Sequence, residues 1–295
     1  MDITKDFIKL KQPCADGFRW YLRHAPPHGT YQQLLDALVA DGRSKDAHWL
    51  LDQFGPTDAV LELDHLDAQD FVFAGAVTVR GTLEVTGTLR TGRGIRVGGG
   101  MRVDGHLQAG DDVHCGGALL CGDALHVNGR VHAAWNVLVQ GETECEDIRA
   151  GWDFISVGPA RVRGAVQVGQ QLQVTSLHCD KGIRVGGDVI SDADLMTRQG
   201  IECGGAITCG GHLYAGWGIK ALEQITAAGT ISAGESLYTE GEVCAGDGYG
   251  VYAGLQVPEH AWESSARVHA CRRPESLRSG HWAHASFDNQ ESTAS

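Results

Sequence analysis

A six-residue repeat runs through most of this 295-residue chain and constrains its fold more than any other feature. Between residues 77 and 257, a large apolar residue, a variable residue and a small apolar residue recur in order, often followed by glycine. Apolar pairs in this register include Val77/Val79, Ile95/Val97, Met101/Val103, Ile201/Cys203 and Ile231/Ala233. A short fixed period is typical of solenoids, in which each repeat stacks on its neighbours.

Three repeat units make one coil of the predicted solenoid. The first and third residues of a unit point to the same side, as in a β-strand. A glycine at the fifth position, such as Gly99 or Gly117, is expected to supply the positive φ of a tight corner. The 18-residue spacing of Ile183, Ile201, Ile219 and Leu237 indicates a triangular coil. The sequence therefore predicts a mainly β fold, a three-sided parallel β-helix of about ten 18-residue coils.

The repeat divides the chain into three regions. Residues 1–64 lack it, and helical spacing is present over Tyr31–Ala40 and from Ser44, as N-cap, to Phe54. We interpret this region as a small helical N-terminal domain that caps the solenoid, because an open coil end exposes core and strand edges. Residues 65–257 form the solenoid, and residues 258–295 form a C-terminal cap with a partly disordered tail.

Composition excludes several classes of function. The formal net charge of -13 argues against a general nucleic-acid binder. The chain shows neither an N-terminal leader pattern nor a long apolar run, so we expect a cytoplasmic protein without membrane contact. Six of the nine cysteines occupy the small inward slot of the repeat, where they are expected to pack as core residues: Cys115, Cys121, Cys145, Cys179, Cys203 and Cys209. Without CxxC spacing, neither a metal nor a cofactor is expected.

The outward residues of two neighbouring faces predict an apolar patch. Leu120, Leu138 and Ile155 occupy the same outward slot in successive coils, so they should stack about 5 Å apart. Trp135 and Trp152 occupy the adjoining corner in adjacent coils. Contiguous apolar surface with aromatic anchors is typical of contact sites. Alternatively, the N-terminal domain or the C-terminal tail covers this patch, or it forms a homodimer seam.

A second set of outward residues predicts a basic stripe on an acidic protein. Its members share one face of the coil: Arg96, His114, His132, Arg149, Arg184 and Lys220. Such a stripe suits an anionic partner, although a solvated face whose charge is screened by salt is the more common explanation.

Motifs for catalysis are missing from the sequence. There is no GxSxG, HExxH or P-loop pattern, and the glycine-rich strings recur with the coil as corners. Hexapeptide-repeat acyltransferases share the six-residue period, but they place a small residue before the large aliphatic one and carry a loop insertion with a catalytic histidine. The chain shows neither feature, so an acyltransferase is a distant alternative and we expect no enzyme.

The segment VRGTLEVTGTLRTGRGIRVGGGMRVDGHL resembles the bactofilin family of bacterial polymer-forming β-helices. The similarity lies in the style of the repeat and extends over about residues 75–257. It implies a right-handed, three-sided β-helix and end-to-end self-assembly.

Two hypotheses of function follow from these observations. The first is a non-catalytic cytoplasmic solenoid that binds one protein partner, for example an immunity-type protein that neutralises a toxin. The second is a bactofilin-like scaffold that assembles through its ends or through the apolar patch. Stoichiometry separates them, because a binder stays a monomer or dimer whereas a scaffold grows with concentration.

Overall fold

A computed structural model of the protein describes residues 5–24 and 29–283. The end of the chain, where a disordered tail is predicted, lies outside these residues from position 284 onwards. The described residues form two compact units. The N-terminal unit comprises residues up to 151 together with 156–158, and the C-terminal unit comprises 152–155 together with residues from 159 onwards.

Four helices precede the repeat in the N-terminal unit: α1 (Lys5–Leu10), α2 (Ala15–His24), α3 (Tyr31–Ala40) and α4 (Ser44–Phe54). Both helices predicted from the sequence are confirmed. Thr30 and Gln33 form a capping box at the start of α3. Ser44 is the first residue of α4 rather than its N-cap, and its hydroxyl donates a hydrogen bond to Asp70 Oδ2 at 2.8 Å.

Short strands follow the helices along the whole repeat. The strands up to residue 150 are β1 (Val60–Leu63), β2 (Leu66–Ala68), β3 (Phe71–Phe73), β4 (Ala76–Val79), β5 (Leu83–Val85), β6 (Leu89–Thr91), β7 (Ile95–Val97), β8 (Met101–Val103), β9 (Leu107–Ala109), β10 (Val113–Cys115), β11 (Leu119–Cys121), β12 (Leu125–Val127), β13 (Val131–Ala133), β14 (Val137–Val139), β15 (Thr143–Cys145) and β16 (Ile148–Ala150).

The later strands are β17 (Phe154–Val162), β18 (Val166–Val168), β19 (Leu172–Cys179), β20 (Ile183–Val185), β21 (Val189–Ser191), β22 (Leu195–Thr197), β23 (Ile201–Cys203), β24 (Ile207–Cys209), β25 (Leu213–Ala215), β26 (Ile219–Ala221), β27 (Ile225–Ala227), β28 (Ile231–Ala233), β29 (Leu237–Tyr238), β30 (Val243–Cys244), β31 (Val251–Tyr252), β32 (Arg267–His269), β33 (Leu277–Ser279) and β34 (His281–Trp282). A 3₁₀ turn at Glu259–Ala261 and α5 (Trp262–Ser265) precede β32.

Every third strand pairs in parallel, which confirms the three-sided coil. In the N-terminal unit β1, β4, β7, β10, β13 and β16 form the first face. Strands β2, β5, β8, β11 and β14 form the second, and β3, β6, β9, β12 and β15 form the third. The first face of the C-terminal unit is β18, β20, β23, β26, β29, β32 and β34.

The number of coils differs from the predicted ten. About twelve turns are present in total, because strands that lack the full six-residue pattern still pair with the repeat. Val60–Leu63 pairs with Ala76–Val79 at the start, and Arg267–His269 follows Leu237–Tyr238 near the end. Backbone hydrogen bonds of the parallel ladder tolerate any side chain, so pairing continues where the pattern fades.

The interior is built as the repeat predicts: in the strands of the six-residue repeat, the first and third residues are typically buried and the middle one is turned outward. Val113 and Cys115 are buried on either side of exposed His114. All six inward cysteines are buried free thiols. A thiol or hydroxyl in such an inward position can also donate a hydrogen bond to a corner carbonyl. Cys115 Sγ donates to Gly99 O at 3.1 Å, and Ser191 Oγ donates to Ala193 O at 3.0 Å.

The predicted reason for the corner glycines is wrong. Positive φ occurs among the described glycines at Gly42, Gly55, Gly248, Gly254 and Gly280, none of which is a repeating corner. The corners need glycine because successive turns stack too closely for a side chain. A Cβ on the fifth-position Gly105 would lie 2.5 Å from Gly87 O, and one on the fourth-position Gly98 would lie 2.2 Å from Arg80 O, both well inside van der Waals contact.

Candidate functional site

Three of the five residues of the predicted apolar patch belong to the N-terminal unit. Leu120 and Leu138 are register partners on β11 and β14, so their side chains are direct neighbours on the second face. Leu120 is 37% exposed and Leu138 is half-buried. Trp135 lies in the corner before β14, where its backbone N–H donates to Gly117 O at 3.2 Å, and its side chain is 52% exposed.

Trp152 and Ile155 belong to the C-terminal unit. Trp152 is 51% exposed in the corner before β17, and its carbonyl accepts a hydrogen bond from the Gln170 N–H at 2.8 Å. Ile155, on β17, is half-buried. The five predicted residues therefore divide between the two units, three in the first and two in the second. The described residues leave each indole about half exposed.

The basic stripe is continuous in the N-terminal unit. Arg96, His114, His132 and Arg149 are consecutive register partners on the first face. The two imidazoles face each other with their Nδ1 atoms 2.8 Å apart, so one ring must donate and the other must accept. Partial burial, with help from the positive charges of His114 and Arg149, holds the pKa of His132 below its usual value.

The stripe is interrupted in the C-terminal unit. Glu202 lies between Arg184 and Lys220 in the register of the first face. Its carboxylate is 2.8 Å from Arg184 Nε and 4.0 Å from Lys220 Nζ. The predicted cations are present, but Glu202 compensates much of their charge, so this half of the stripe is not a uniformly basic surface.

A buried polar junction anchors the helices to the strands of the N-terminal unit. Arg90 is the middle residue of β6, a position that points outward in the repeat, yet it is only 7% exposed. Its guanidinium pairs with Asp52 and donates to His48 O at 3.1 Å. Gln32 forms two more hydrogen bonds with backbone in and just after β3: its Nε2 donates to Val72 O, and its Oε1 accepts from the Ala74 N–H. The repeat pattern does not predict this role, because it places Arg90 in an outward position and gives no information on whether the helices pack over that position.

His48 is a strongly perturbed titratable group of this junction. Burial, and then the positive charge of Arg90, lowers its pKa from 6.5 to about 4. Its Nε2 is buried without a hydrogen-bond partner. Burial, with a contribution from His126, also lowers the pKa of His106. These imidazoles therefore favour the neutral form, which places them in the junction as uncharged packing groups.

A semi-enclosed apolar cavity of about 410 Å³ lies among the helices. Trp20, Tyr21 and Trp49 line it together with Leu34 and Leu38. Its polar rim is already paired, because Asp46 accepts a hydrogen bond from Arg43 Nε at 2.6 Å. The sequence gives no sign of this cavity, because helical spacing does not fix how closely the helices pack against one another.

The described residues offer little catalytic chemistry. Within positions 5–24 and 29–283, no three His, Cys, Asp or Glu side chains are grouped so as to hold a metal ion. Burial raises the pKa of the thiols of Cys115, Cys179 and Cys209, which disfavours the thiolate a nucleophile needs. No helix in this part of the chain combines the length and apolar character that crossing a membrane requires.

Comparison with known proteins identifies only the helical part. The family model described as the YdhT N-terminal domain matches residues 1–54. No curated protein and no solved structure matches the chain. No bactofilin family model matches either, so the resemblance to bactofilins is one of repeat architecture alone. The chain thus combines a segment similar to the YdhT N-terminal domain with a parallel β-solenoid.

Proposed function

We propose that the protein is a non-catalytic binding protein whose solenoid docks a protein partner through the surface around Trp135. The observation that carries this proposal is a half-exposed indole in the corner before β14, on whose face Leu120 and Leu138 are register partners. Large aromatic side chains with apolar neighbours contribute most of the binding energy at many protein interfaces. Trp152 and Ile155 have the same character and enter the proposal as a separate set in the C-terminal unit.

The location we propose is the cytoplasm. Within the described residues none of the nine cysteines forms a disulfide, which suits a reducing compartment. With a formal charge of -13, the protein favours a protein partner over nucleic acid. The most specific form of the proposal is an immunity-type protein whose partner is a toxin. That form rests on the acidic charge and the exposed aromatic surface, and identification of the partner tests it directly.

A bactofilin-like scaffold is the alternative function. The parallel ladder of each unit supports it, because unpaired strand edges at a coil end are templates for another copy. Light scattering after size exclusion, over a concentration series, separates the two functions. We expect a mass that does not change with concentration. Growth that Trp135→Ser abolishes would overturn the binder and favour the scaffold.

Photo-crosslinking sharpens the test of the binder. A benzophenone amino acid replaces Trp135 in one variant and Trp217, which is also half exposed, in the control. We expect one partner to crosslink from position 135 in cells and not from position 217, and Trp135→Ser to abolish co-purification of that partner. Equal crosslinking from both positions, or none from position 135, would contradict the proposed surface.

A further inference from the structure

An open groove of about 460 Å³ lies on the first face of the C-terminal unit, and no residue of the proposed docking surface lines it. It runs across β18, β20, β23, β26 and β29, so it is long and shallow rather than a closed pocket. A groove that follows the stack of turns suits a linear ligand. Its floor, its two walls and its charge each restrict the chemistry of that ligand.

The floor is open because three turns carry glycine where other turns carry charged side chains. The position is defined by its backbone hydrogen bond to the preceding turn. Gly200 O accepts from the Ile183 N–H, and Gly218 O accepts from the Ile201 N–H. In the N-terminal unit Arg130 O accepts from the Val113 N–H in the same way. There, Asp112 and Arg130 fill this slot with an ion pair at 2.8 Å. Gly182 has an ordinary φ, and a Cβ on it would meet nothing closer than 3.4 Å. The backbone therefore does not require glycine at position 182.

One wall consists of corner residues stacked in consecutive turns. The Trp217 N–H donates to Gln199 O, and the Gln199 N–H donates to Lys181 O. Trp217 is 50% exposed and contributes to the groove surface. The wall thus offers an indole face beside an amide and an ammonium group, and the apolar faces of ring-shaped ligands stack on such indoles.

The opposite wall alternates donors and acceptors. Arg184, Glu202, Lys220 and Tyr238 are register partners on successive strands. The Tyr238 ring stacks on His269 with centroids 4.7 Å apart, which fixes its orientation. A guanidinium and an ammonium donate, a carboxylate accepts, and the phenol does both. Hydroxyl groups, which also do both, match this wall better than phosphates, which mainly accept and would meet Glu202.

Charge narrows the ligand further. The groove is lined by three cations, Lys181, Arg184 and Lys220, and by one anion, Glu202. Lys181 forms no ion pair with any residue of the described ranges. A cationic excess on a protein of formal charge -13 favours a ligand with some negative charge. We propose that this groove binds a linear oligosaccharide that carries carboxylate groups, with Trp217 as its stacking platform.

The N-terminal unit supplies an internal comparison. Its groove on the first face is larger, about 600 Å³, but no Trp, Tyr or Phe lines it. Its corner residue Arg93 is already paired with Asp58 at 2.9 Å. This groove offers charge without a stacking platform, so we expect no sugar binding there.

Isothermal titration of the full-length protein tests the proposal with three probes. Hexagalacturonate carries carboxylates, cellohexaose is a neutral sugar, and hexadeoxythymidylate carries rings and phosphates. We expect hexagalacturonate to bind, cellohexaose to bind at least ten-fold more weakly, and the oligonucleotide not to bind. Absence of binding by both sugars, or oligonucleotide binding as strong as that of hexagalacturonate, would overturn the proposal.

Three variants locate the binding. Trp217→Ala should weaken hexagalacturonate binding at least ten-fold, and Gly182→Val should block it by filling the floor. Lys181→Gln should reduce the preference for the acidic sugar over the neutral one. Trp135→Ala, a change at another half-exposed corner tryptophan, is the matched control and should bind like the wild type. Equal affinity of Trp217→Ala and the wild type, with unchanged melting curves, would show that the sugar binds elsewhere and would overturn the proposal for this groove. The groove variants leave Trp135 unchanged, so their results test only the sugar-binding proposal and not the protein-docking proposal.

Discussion

The first faces of the two units share one repeat and differ in their outward slots. In the N-terminal unit the outward residues of this face include His114 and His132. The ion pair of Asp112 and Arg130 fills the position that glycine occupies in the groove of the C-terminal unit. In the C-terminal unit Glu202 divides the cations, and glycines leave the floor open. The inward slots remain apolar in both. The difference teaches that the core dictates the coil, while the outward slots are free to acquire separate surface chemistries.

Valine substitutions at two glycines test this division with the largest expected effect. Gly98→Val places a Cβ 2.2 Å from a carbonyl oxygen, so we expect a loss of about 2–3 kcal/mol in the free energy of unfolding. Gly182→Val is the control, and we expect a change below about 0.5 kcal/mol. Guanidinium unfolding followed by far-UV circular dichroism measures both. Equal losses would mean that the fold itself requires glycine at position 182. The open floor of the groove would then be a consequence of folding and would not support a ligand site.

Acid should weaken the N-terminal unit through His48. The folded pKa of about 4 lies below the ordinary 6.5, so the unfolded chain takes up a proton more readily. The stabilisation is complete above about pH 6.5 and is lost as the pH falls towards 4. His106, whose pKa is also lowered, acts in the same direction. Arg90, Asp52 and Asp70 are the charged groups that face His48, and Arg90 opposes its protonation.

Melting curves at pH 7 and pH 5 measure this effect. We expect the melting temperature of the transition that includes the helices to fall by a few degrees, about 2–4 °C for each kcal/mol lost. His48→Gln removes the titrating group, so its melting temperature should fall less over the same pH interval. An equal fall in wild type and variant would show that His48 does not govern the acid sensitivity of the junction.

Glu202→Gln should produce the smallest change in stability and the clearest change in charge. Its ion pairs are exposed, so we expect the free energy of unfolding to change by less than about 0.5 kcal/mol. Without the carboxylate, the cations of this face are no longer compensated, so oligothymidylate, which we expect not to bind the wild type, should bind measurably at low salt. Asp112→Asn, which leaves the groove of the C-terminal unit unchanged, is the control. Unchanged oligonucleotide binding would show that Glu202 does not determine the ligand charge that this face accepts.

The predicted coil was accurate because its cause is local and repeated. Residues such as Val113 and Cys115 alternate with outward His114, and the same alternation recurs at every turn. The coil count fell short where strands such as Val60–Leu63 and Arg267–His269 pair without the pattern. The reason for corner glycines was also missed, because the approach of one turn to the next is a distance that no single repeat unit contains.

The surface residues show the opposite balance. The sequence alone identified Trp135 and Leu120 as outward residues, and both are exposed. Arg90 occupies the same kind of outward position, yet the structure buries it against Asp52 and His48. An outward slot specifies only direction, whereas burial depends on which distant segment packs over it.

The sequence by itself therefore determined the β-solenoid, its three faces and the inward residues wherever the six-residue repeat is present. These follow from a periodicity that the parallel ladder repeats at each turn. Only the tertiary structure decided which outward residues stay in solvent, where Glu202 neutralises its neighbours, and that glycines open a groove beside Trp217. Those properties arise between residues 15 or more positions apart, whose distances depend on the stacking of turns and the docking of helices.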